Sequence, residues 1–174
     1  VNLLRPELSV DADGNFTKVD VVQEPPTEPE GLPAILRRHR IAIGLYNMQD
    51  GKLQRTDRVE VDVAGERTSI KELVGKKQPD LLLVNDDDYT YTKLRLDEHS
   101  LKTVVNHLST IPDSLARASL MSTAWDMTRD AEMSTTDFIA LLKSSLPHET
   151  FIPMVQRSLM QARTAAQFYG APAK

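Results

Sequence analysis

The sequence predicts an α+β protein in two segregated parts: an immunoglobulin-like antiparallel β-sandwich followed by an all-α bundle of antiparallel helix pairs. Up to Leu96, apolar and polar residues alternate in short runs separated by turn residues, which is the pattern of half-buried strands. From Asp97 onward, apolar residues recur every three or four positions, as they do in amphipathic helices. We therefore predict a β-sandwich domain over residues 1–96 and an α-helical domain over residues 97–174.

The first predicted element is a β-hairpin. Apolar residues alternate along residues 4–10 and recur along residues 16–21, and the segment DADGN (11–15) between them is rich in turn residues. DADGN also resembles the opening of a calcium loop, but its glycine comes too early for an EF-hand and no glutamate closes the loop. The pattern favours a turn. The proline-rich segment 24–33 that follows cannot lie inside a sheet, so we expect it to connect two sheets.

The remaining strands are predicted from short apolar or alternating segments with turn residues between them. The turn residues QDG (49–51) and AGE (64–66) separate neighbouring segments. Seven or so short strands with frequent turns close most naturally as two packed sheets. The predicted strands are RIAIGLYN (40–47), RVEVDV (58–63), RTSIKELV (67–74), DLLLV (80–84) and YTYTKLRL (89–96).

Four helices are predicted after residue 97, and short loops between them imply antiparallel neighbours. The first covers residues 101–108, and the second runs from Asp113 to about Arg129. Ser134 begins the third as its N-cap, and this helix ends near Pro147. We expect the fourth helix to bury one stripe and to leave Met154, Met160 and Phe168 off it; the stripe is Val155, Leu159, Ala162, Ala166 and Tyr169.

Composition narrows the class of protein. The net charge is -4 and the pI about 5.6, so no global field favours nucleic acid or an anionic membrane, and we expect neither as a partner. The basic run 37–40 could hold phosphate, but its context favours the solvated start of a strand. The absence of cysteine excludes disulfides and thiolate metal sites and suits a cytoplasmic protein. Because the sequence begins at Val1, we expect a segment of something longer.

His148 and Glu149 form the one dipeptide typical of a zinc peptidase. An HExxH motif places two histidines four residues apart on one helix face, where both ligate the metal. Here Ile152 occupies the second position, and Pro147 and Pro153 bracket the segment. The local pattern therefore favours a loop and a helix start.

The other candidate residues also have ordinary structural interpretations. The segment NDDD (85–88) could bind a hard cation, but neighbouring carboxylates diverge, which favours an exposed turn. His99 and His107 lack the spacing for a shared metal and fit surface positions. Trp125 could form a ligand platform, although a tryptophan on a buried helix face usually belongs to the core. The residues alone assign no catalytic or metal-binding site.

Two long segments carry a resemblance to a known family. PDLLLVNDDDYTYTKLRLDEHSL (79–101) and LARASLMSTAWDMTRDAEMSTTDFIALL (115–142) resemble the aminopeptidase N family of zinc metallopeptidases, in particular its bacterial, actinobacterial type. RIAIGLY (40–46), RVEVDV (58–63) and VNLLRPEL (1–8) fit the same alignment. In that family a saddle of strands and a thermolysin-like catalytic domain precede a small β-sandwich and a bowl of paired helices. The resemblance implies that this chain is the sandwich and the first helices of the bowl.

The same resemblance places the chemistry outside this chain. The family's HExxH, its distal glutamate ligand, its GxMEN substrate loop and its catalytic tyrosine belong to the catalytic domain, and none occurs here. We therefore expect zinc and peptide substrates in the whole protein, no catalytic or metal-binding residue in this segment, and an architectural role. Exposed helical faces are expected to allow self-association. The alternative is a free-standing immunoglobulin-like interaction module with a helical appendage.

Overall fold

The computed structural model describes residues 1–26, 29, 31 and 33–170. These residues form seven β-strands and four α-helices, with the strands first, which confirms the predicted α+β class. The strands are β1 (Leu3–Val10), β2 (Phe16–Glu24), β3 (His39–Gln49), β4 (Lys52–Val63), β5 (Arg67–Ser69), β6 (Leu81–Asp86) and β7 (Lys93–Leu94). The helices are α1 (Glu98–His107), α2 (Ser114–Arg129), α3 (Thr135–Ser145) and α4 (Ile152–Thr164).

The strands form two sheets, ordered β5-β2-β1-β7 and β4-β3-β6. The first sheet is mixed, because β7 pairs parallel with β1 while β2 pairs antiparallel with both β1 and β5. The prediction of a purely antiparallel sandwich was therefore wrong in this respect. One buried hydrophobic cluster draws residues from both sheets, including Leu4, Phe16 and Val21 from the first and Ile41, Ile43, Val63 and Val84 from the second.

Two predicted turns have the geometry that their residues favour. In DADGN, the Asp11 carboxylate accepts hydrogen bonds from the backbone N–H groups of Asp13 and Asn15 at 3.0 and 2.8 Å. This is the local bonding through which aspartate stabilises a turn. Asp50 and Gly51 both have positive φ, at 50° and 75°, as a two-residue hairpin between twisted strands requires.

Two predicted strands are shorter than their sequence pattern indicated. In segment 67–74 only β5 is a strand, and Lys71–Leu73 forms a single 3₁₀ turn that buries Leu73. In segment 89–96 only β7 is a strand, and Tyr91 is 87% exposed. Alternation of β-branched and aromatic residues was the basis of the second prediction, but a strand also needs a neighbouring strand to pair with. Residues 27, 28, 30 and 32 of the predicted connection lie outside the described residues.

The third helix begins at its predicted cap, Ser134, and the second begins after Asp113, where its start was predicted. Asp113 accepts from the backbone N–H of Leu115 at 3.0 Å, and the Ser134 hydroxyl oxygen accepts from the N–H of Asp137 at 3.0 Å. α2, α3 and α4 contact one another. Trp125, on α2, contacts Phe138 and Tyr169 with ring centroids 5.4 and 6.2 Å apart, which agrees with a packing role. Among the described helices, none combines the length and apolar character needed to cross a bilayer.

The stripe predicted for the fourth helix was wrong by about one residue. The buried residues of this helix and the π-turn after it are Met154, Ser158, Gln161 and Ala165. Leu159 is 57% exposed and Tyr169 is 46% exposed, although both belonged to the predicted stripe. The observed buried face includes a serine and a glutamine, so the spacing of apolar residues in the sequence pointed to the neighbouring stripe instead.

The chain divides into two compact units, residues 1–47 with 55–101 and residues 48–54 with 102–174. The hairpin tip 48–54 belongs with the helical residues; there Leu53 is fully buried, and its backbone N–H donates to the Thr110 hydroxyl at 3.1 Å. In the other unit the Ser100 hydroxyl accepts from the N–H of Leu82 at 3.0 Å. The predicted domain boundary between residues 96 and 97 stays a prediction about independent folding.

Candidate functional site

Glu149, the glutamate of the HE dipeptide, is held in a buried ion pair. Arg117 donates from Nε to Oε2 at 2.8 Å and from Nη2 to Oε1 at 3.1 Å. The Arg117 side chain is 14% exposed and that of Glu149 only 2% exposed. Two parallel bonds between a guanidinium and a carboxylate form the strongest geometry available to such a pair. We call this pair the clasp.

The remaining donors and acceptors of the clasp are also satisfied. Arg117 Nη1 donates to the backbone carbonyls of Ile111 and Pro112 at 2.8 and 3.0 Å. Glu149 Oε1 accepts from the N–H groups of Thr150 and Phe151, both at 2.9 Å. The hydrogen bond from Arg117 lowers the pKa of Glu149, burial raises it, and the backbone hydrogen bond from Phe151 lowers it again. The net effect is a pKa below the usual range. The clasp thus joins the start of α2 to the segment leading into α4.

His148 lies outside the clasp and is exposed. It follows α3 at the end of the 3₁₀ turn Leu146–His148, and it lines a shallow depression with Lys52 and Thr110. The predicted interpretation of this segment as a loop and helix start therefore matches the observed local structure. Glu149 is committed to Arg117, so it has no free carboxylate oxygen with which to activate a water.

A second charged cluster contains the acids of NDDD. The Asp86 side chain is fully buried, and it accepts from Tyr46 Oη at 2.8 Å and from Arg55 Nη1 at 2.8 Å. Gly44 on the neighbouring strand makes room for this carboxylate, because a Cβ there would lie 2.2 Å from Asp86 Oδ2. The prediction of an exposed turn was wrong for Asn85 and Asp86, both 1% exposed. Both residues belong to β6 and continue its buried stretch beyond the apolar residues 81–84.

Asp87 continues the cluster toward solvent. It accepts from Arg55 Nη1 at 2.7 Å and from Arg58 Nε at 2.8 Å. The hydrogen bond from Arg55 lowers the pKa of Asp87, burial raises it, and the hydrogen bond from Arg58 lowers it. The net pKa is lower than the ordinary value. Arg58 also donates to Tyr89 Oη at 2.6 Å. Together, Arg55 and Arg58 therefore bond both aspartates, and Arg58 also donates to Glu60 at 2.7 Å. This arrangement stabilises the turn rather than leaving ligands for a metal.

The backbone of this turn is unusual. Asn85, Asp87 and Asp88 have positive φ of 58°, 66° and 52°, a region that asparagine and aspartate tolerate better than other non-glycine residues. Asn85 fixes the turn through its amide, which donates from Nδ2 to the Thr90 carbonyl at 2.9 Å and accepts from the Thr90 N–H at 3.2 Å. These hydrogen bonds between Asn85 and Thr90 hold the backbone of the turn in its unfavourable conformation.

His39 connects this turn to the first sheet, and it is buried at 7% exposure, so its predicted solvated position was wrong. Nδ1 lies 2.7 Å from Thr90 Oγ1, and Nε2 lies 3.1 Å from Gln23 Oε1. Because Gln23 Oε1 is an acceptor, Nε2 carries the proton, and Nδ1 of the neutral ring accepts from the threonine hydroxyl. Burial, and next the charge of Arg37, lowers the pKa of His39.

No group of three or more potential metal ligands (histidine, cysteine, aspartate or glutamate) assembles within the part of the chain that the structure describes. His99 and His107 both lie on α1, where His99 is exposed and His107 half-buried, and Trp125 belongs to an aromatic contact. Sequence reasoning missed both arginine–carboxylate clusters. Arg117 and Glu149 are 32 residues apart, and Arg55 and Asp86 are 31 apart, so no local spacing indicated either pair.

A comparison with known families decides the assignment. The ERAP1-like C-terminal domain profile matches residues 81–174, more than half of the chain, beginning at the first residue of β6 and including all four helices. The chain belongs to the ERAP1-like C-terminal domain family.

A curated relative of this ERAP1-like C-terminal domain protein agrees with the assignment. Aminopeptidase N of Streptomyces lividans is 49% identical over 175 residues, covering 99% of this chain and 20% of the relative. The chain therefore spans about a fifth of the length of the curated relative it matches. The predicted resemblance to the aminopeptidase N family, in a C-terminal part, is confirmed.

Proposed function

We propose that this chain is a non-catalytic, architectural segment of a zinc-dependent aminopeptidase that removes N-terminal residues from peptides. The observation that carries the proposal is the 49% identity to an aminopeptidase N over 99% of the chain. Half of the residues retained in one colinear stretch, with both sheets and all four helices included, indicates a shared structural role. In such an enzyme the metal-activated water supplies the chemistry, and the expected zinc ligands lie in other parts of the protein.

The charge clusters of this chain support an architectural role. The clasp ties α2 to the loop before α4, and the Asp86 cluster ties β3, β4 and β6 together. In both, each carboxylate is already bonded to an arginine. Carboxylates bonded to arginines in this way hold the local structure, which is the role we propose for them.

The proposal has a finer structural part. We propose that residues 1–96 form an immunoglobulin-like sandwich and residues 97–174 the first antiparallel helix pairs of a larger helical domain. In the whole protein the sandwich would position those helices so that only extended, thin peptides reach the zinc. We also propose a cytoplasmic location, for which the absence of cysteine is the support.

The experiment uses the whole natural protein that contains this chain. We expect it to bind one zinc, to release N-terminal residues from aminoacyl chromogenic substrates, and to lose that activity to a chelator. Arg117→Met in the whole protein should lower the unfolding temperature while zinc content and kcat per folded enzyme stay unchanged. A whole protein without an HExxH motif would contradict the proposal and favour an interaction module. Loss of zinc or of kcat in folded Arg117→Met protein would contradict the architectural role.

A further inference from the structure

The six methionines of the chain differ sharply in exposure. Met160, on α4, is 72% exposed, and Met48, near the end of β3, is 37% exposed. The other four are core residues between 2% and 8% exposed, namely Met121, Met127, Met133 and Met154. Because the sequence has no cysteine, these six thioethers are its only sulfur groups. Met160 is therefore the sulfur side chain that meets solvent most fully.

Met160 lies on the outer side of α4. The residues that this helix buries are Met154, Ser158 and Gln161, and at 3.6 residues per turn Met160 points away from all three. Its neighbour Leu159 is exposed as well. An oxygen atom added to the Met160 sulfur would therefore stand in water, whereas the same oxygen on a core methionine would be a buried polar group, which is costly without a hydrogen-bond partner.

Hydrogen peroxide oxidises such a thioether by two electrons. A lone pair of the sulfur attacks one peroxide oxygen, and the O–O bond breaks as the S–O bond forms. The proton on the transferred oxygen passes to the departing hydroxide, which leaves as water. Methionine is thereby oxidised to its sulfoxide and the peroxide is reduced. Because the oxidant must touch the sulfur, exposure decides which methionine reacts first.

We propose that Met160 is a site of reversible oxidation by peroxide, and that its sulfoxide makes the exposed side of α4 polar while the fold stays intact. The sulfoxide replaces a flexible apolar side chain by a polar one beside Leu159. Methionine sulfoxide reductases, one for each sulfoxide epimer, restore the thioether: a dithiol supplies the two electrons and becomes a disulfide, and the oxygen leaves as water. This modification is independent of the aminopeptidase activity proposed for the whole protein.

The test treats the 174-residue chain, at low protein concentration, with limiting hydrogen peroxide and follows oxidation by mass spectrometry of tryptic peptides. Trypsin releases Met160 in peptide 158–163, Met48 in 41–52 and Met154 in 144–157, each as the single methionine of its peptide. If the rate follows exposed area, Met160 should react about twice as fast as Met48 and about ninefold faster than Met154. Equal rates, or a faster reaction at Met48 or at a core methionine, would overturn the proposal.

Two variants and the oxidised chain itself complete the test. Met160→Leu should lose the fast reaction and leave Met48 as the first site. The matched control Met160→Leu/Leu159→Met moves the thioether to a position that is 57% exposed and should restore fast oxidation. The chain oxidised once at Met160 should unfold at the parental temperature and elute earlier from a hydrophobic-interaction column, and the reductases with dithiothreitol should reverse that shift. A lower unfolding temperature, unchanged retention or a shift that the reductases leave in place would contradict the proposal.

Discussion

Arg117 and Glu149 face each other across a buried contact, with Arg117 Nε 2.8 Å from Glu149 Oε2. Each partner also binds backbone: Arg117 the carbonyls of Ile111 and Pro112, and Glu149 the N–H groups that precede α4. A glutamate that looks like half of a metallopeptidase motif in the sequence is therefore a structural residue in the helical unit. Its chemistry is fully used in holding the chain together.

Breaking the clasp from one side should be costly. Glu149→Gln leaves a buried guanidinium without its counter-charge, and Arg117→Met leaves a buried carboxylate without its cation. We expect each to lower the free energy of unfolding by about 3–5 kcal/mol, whereas the double variant Arg117→Met/Glu149→Met should lose less than either single variant. Urea unfolding followed by far-ultraviolet circular dichroism gives the three values. Arg163→Met, at an exposed arginine on α4, is the control and should change stability by less than about 0.5 kcal/mol. If the stability loss of the double variant equalled the sum of the two single losses, Arg117 and Glu149 would not be coupled, and the prediction would be wrong.

The second prediction concerns pH and His39. Its pKa is lower in the folded chain than the ordinary value of 6.5, so the unfolded chain binds the proton more readily. The contribution of His39 to the free energy of unfolding is therefore fully present above pH 6.5. It is lost as the pH falls from there through the pKa of the folded chain. The carboxylates with lowered pKa, such as Glu149, act in a separate window below about pH 4.5.

Urea titrations at pH 7.5, 6.5 and 5.5 test this sign. The parent chain should be less stable at pH 5.5 than at pH 7.5, and His39→Gln should be less stable overall but show a flatter dependence across that range. His148→Gln is the control, since His148 is exposed, and it should keep the parental slope. A parental slope in folded His39→Gln would show that another group titrates there.

Much of the fold could be predicted because its signals are local. The hairpin turns at 11–15 and 49–51, the helix start at Asp113, the cap Ser134 and the change of apolar period near Asp97 all depend on residues within a few positions of one another. The length of β7 could not be predicted this way. It is set by its pairing with β1, about 90 residues earlier in the chain.

The charged clusters were missed for a related physical reason. NDDD contains three adjacent acids, and such a run is normally exposed because burying unpaired carboxylates is unfavourable. The sequence alone does not show that Arg55 and Tyr46 bond Asp86. The same holds for His39, whose partners Gln23 and Thr90 are 16 and 51 residues away. Burial of a polar group depends on such distant partners, so a single sequence without an alignment does not reveal it.

The third prediction concerns the domain boundary. The Ser100 hydroxyl accepts from the N–H of Leu82 in β6, and Ser100 is 1% exposed. A fragment of residues 1–101 should therefore unfold cooperatively and be about 1–3 kcal/mol more stable than residues 1–96, which leave that N–H unpaired. Thermal unfolding of both fragments is the measurement, with Ser100→Ala in the longer one as the matched comparison. A longer fragment that shows no cooperative transition would mean that the sheets need the helices to fold.

The fourth prediction is self-association through α4. Leu159, Met160 and Phe168 are 57%, 72% and 68% exposed, and burial of each is worth about 1.5–3 kcal/mol. Light scattering after size exclusion should show the mass rising with concentration, and Leu159→Gln/Met160→Gln should stay monomeric. Val74→Gln replaces an apolar residue of similar exposure, 49%, in the other unit and should associate as the parent does. A parent chain that stays monomeric throughout the concentration series would contradict self-association through these exposed residues of the α4 region.

The most direct test of a non-catalytic role is metal analysis of the 174-residue chain together with an assay on aminoacyl chromogenic substrates. The sequence has no cysteine and no HExxH, and its one HE dipeptide places Glu149 on Arg117. After dialysis we predict far less than one zinc per chain and no hydrolysis above the buffer blank, with or without added zinc. One zinc per chain, together with hydrolysis that a chelator abolishes, would contradict the account.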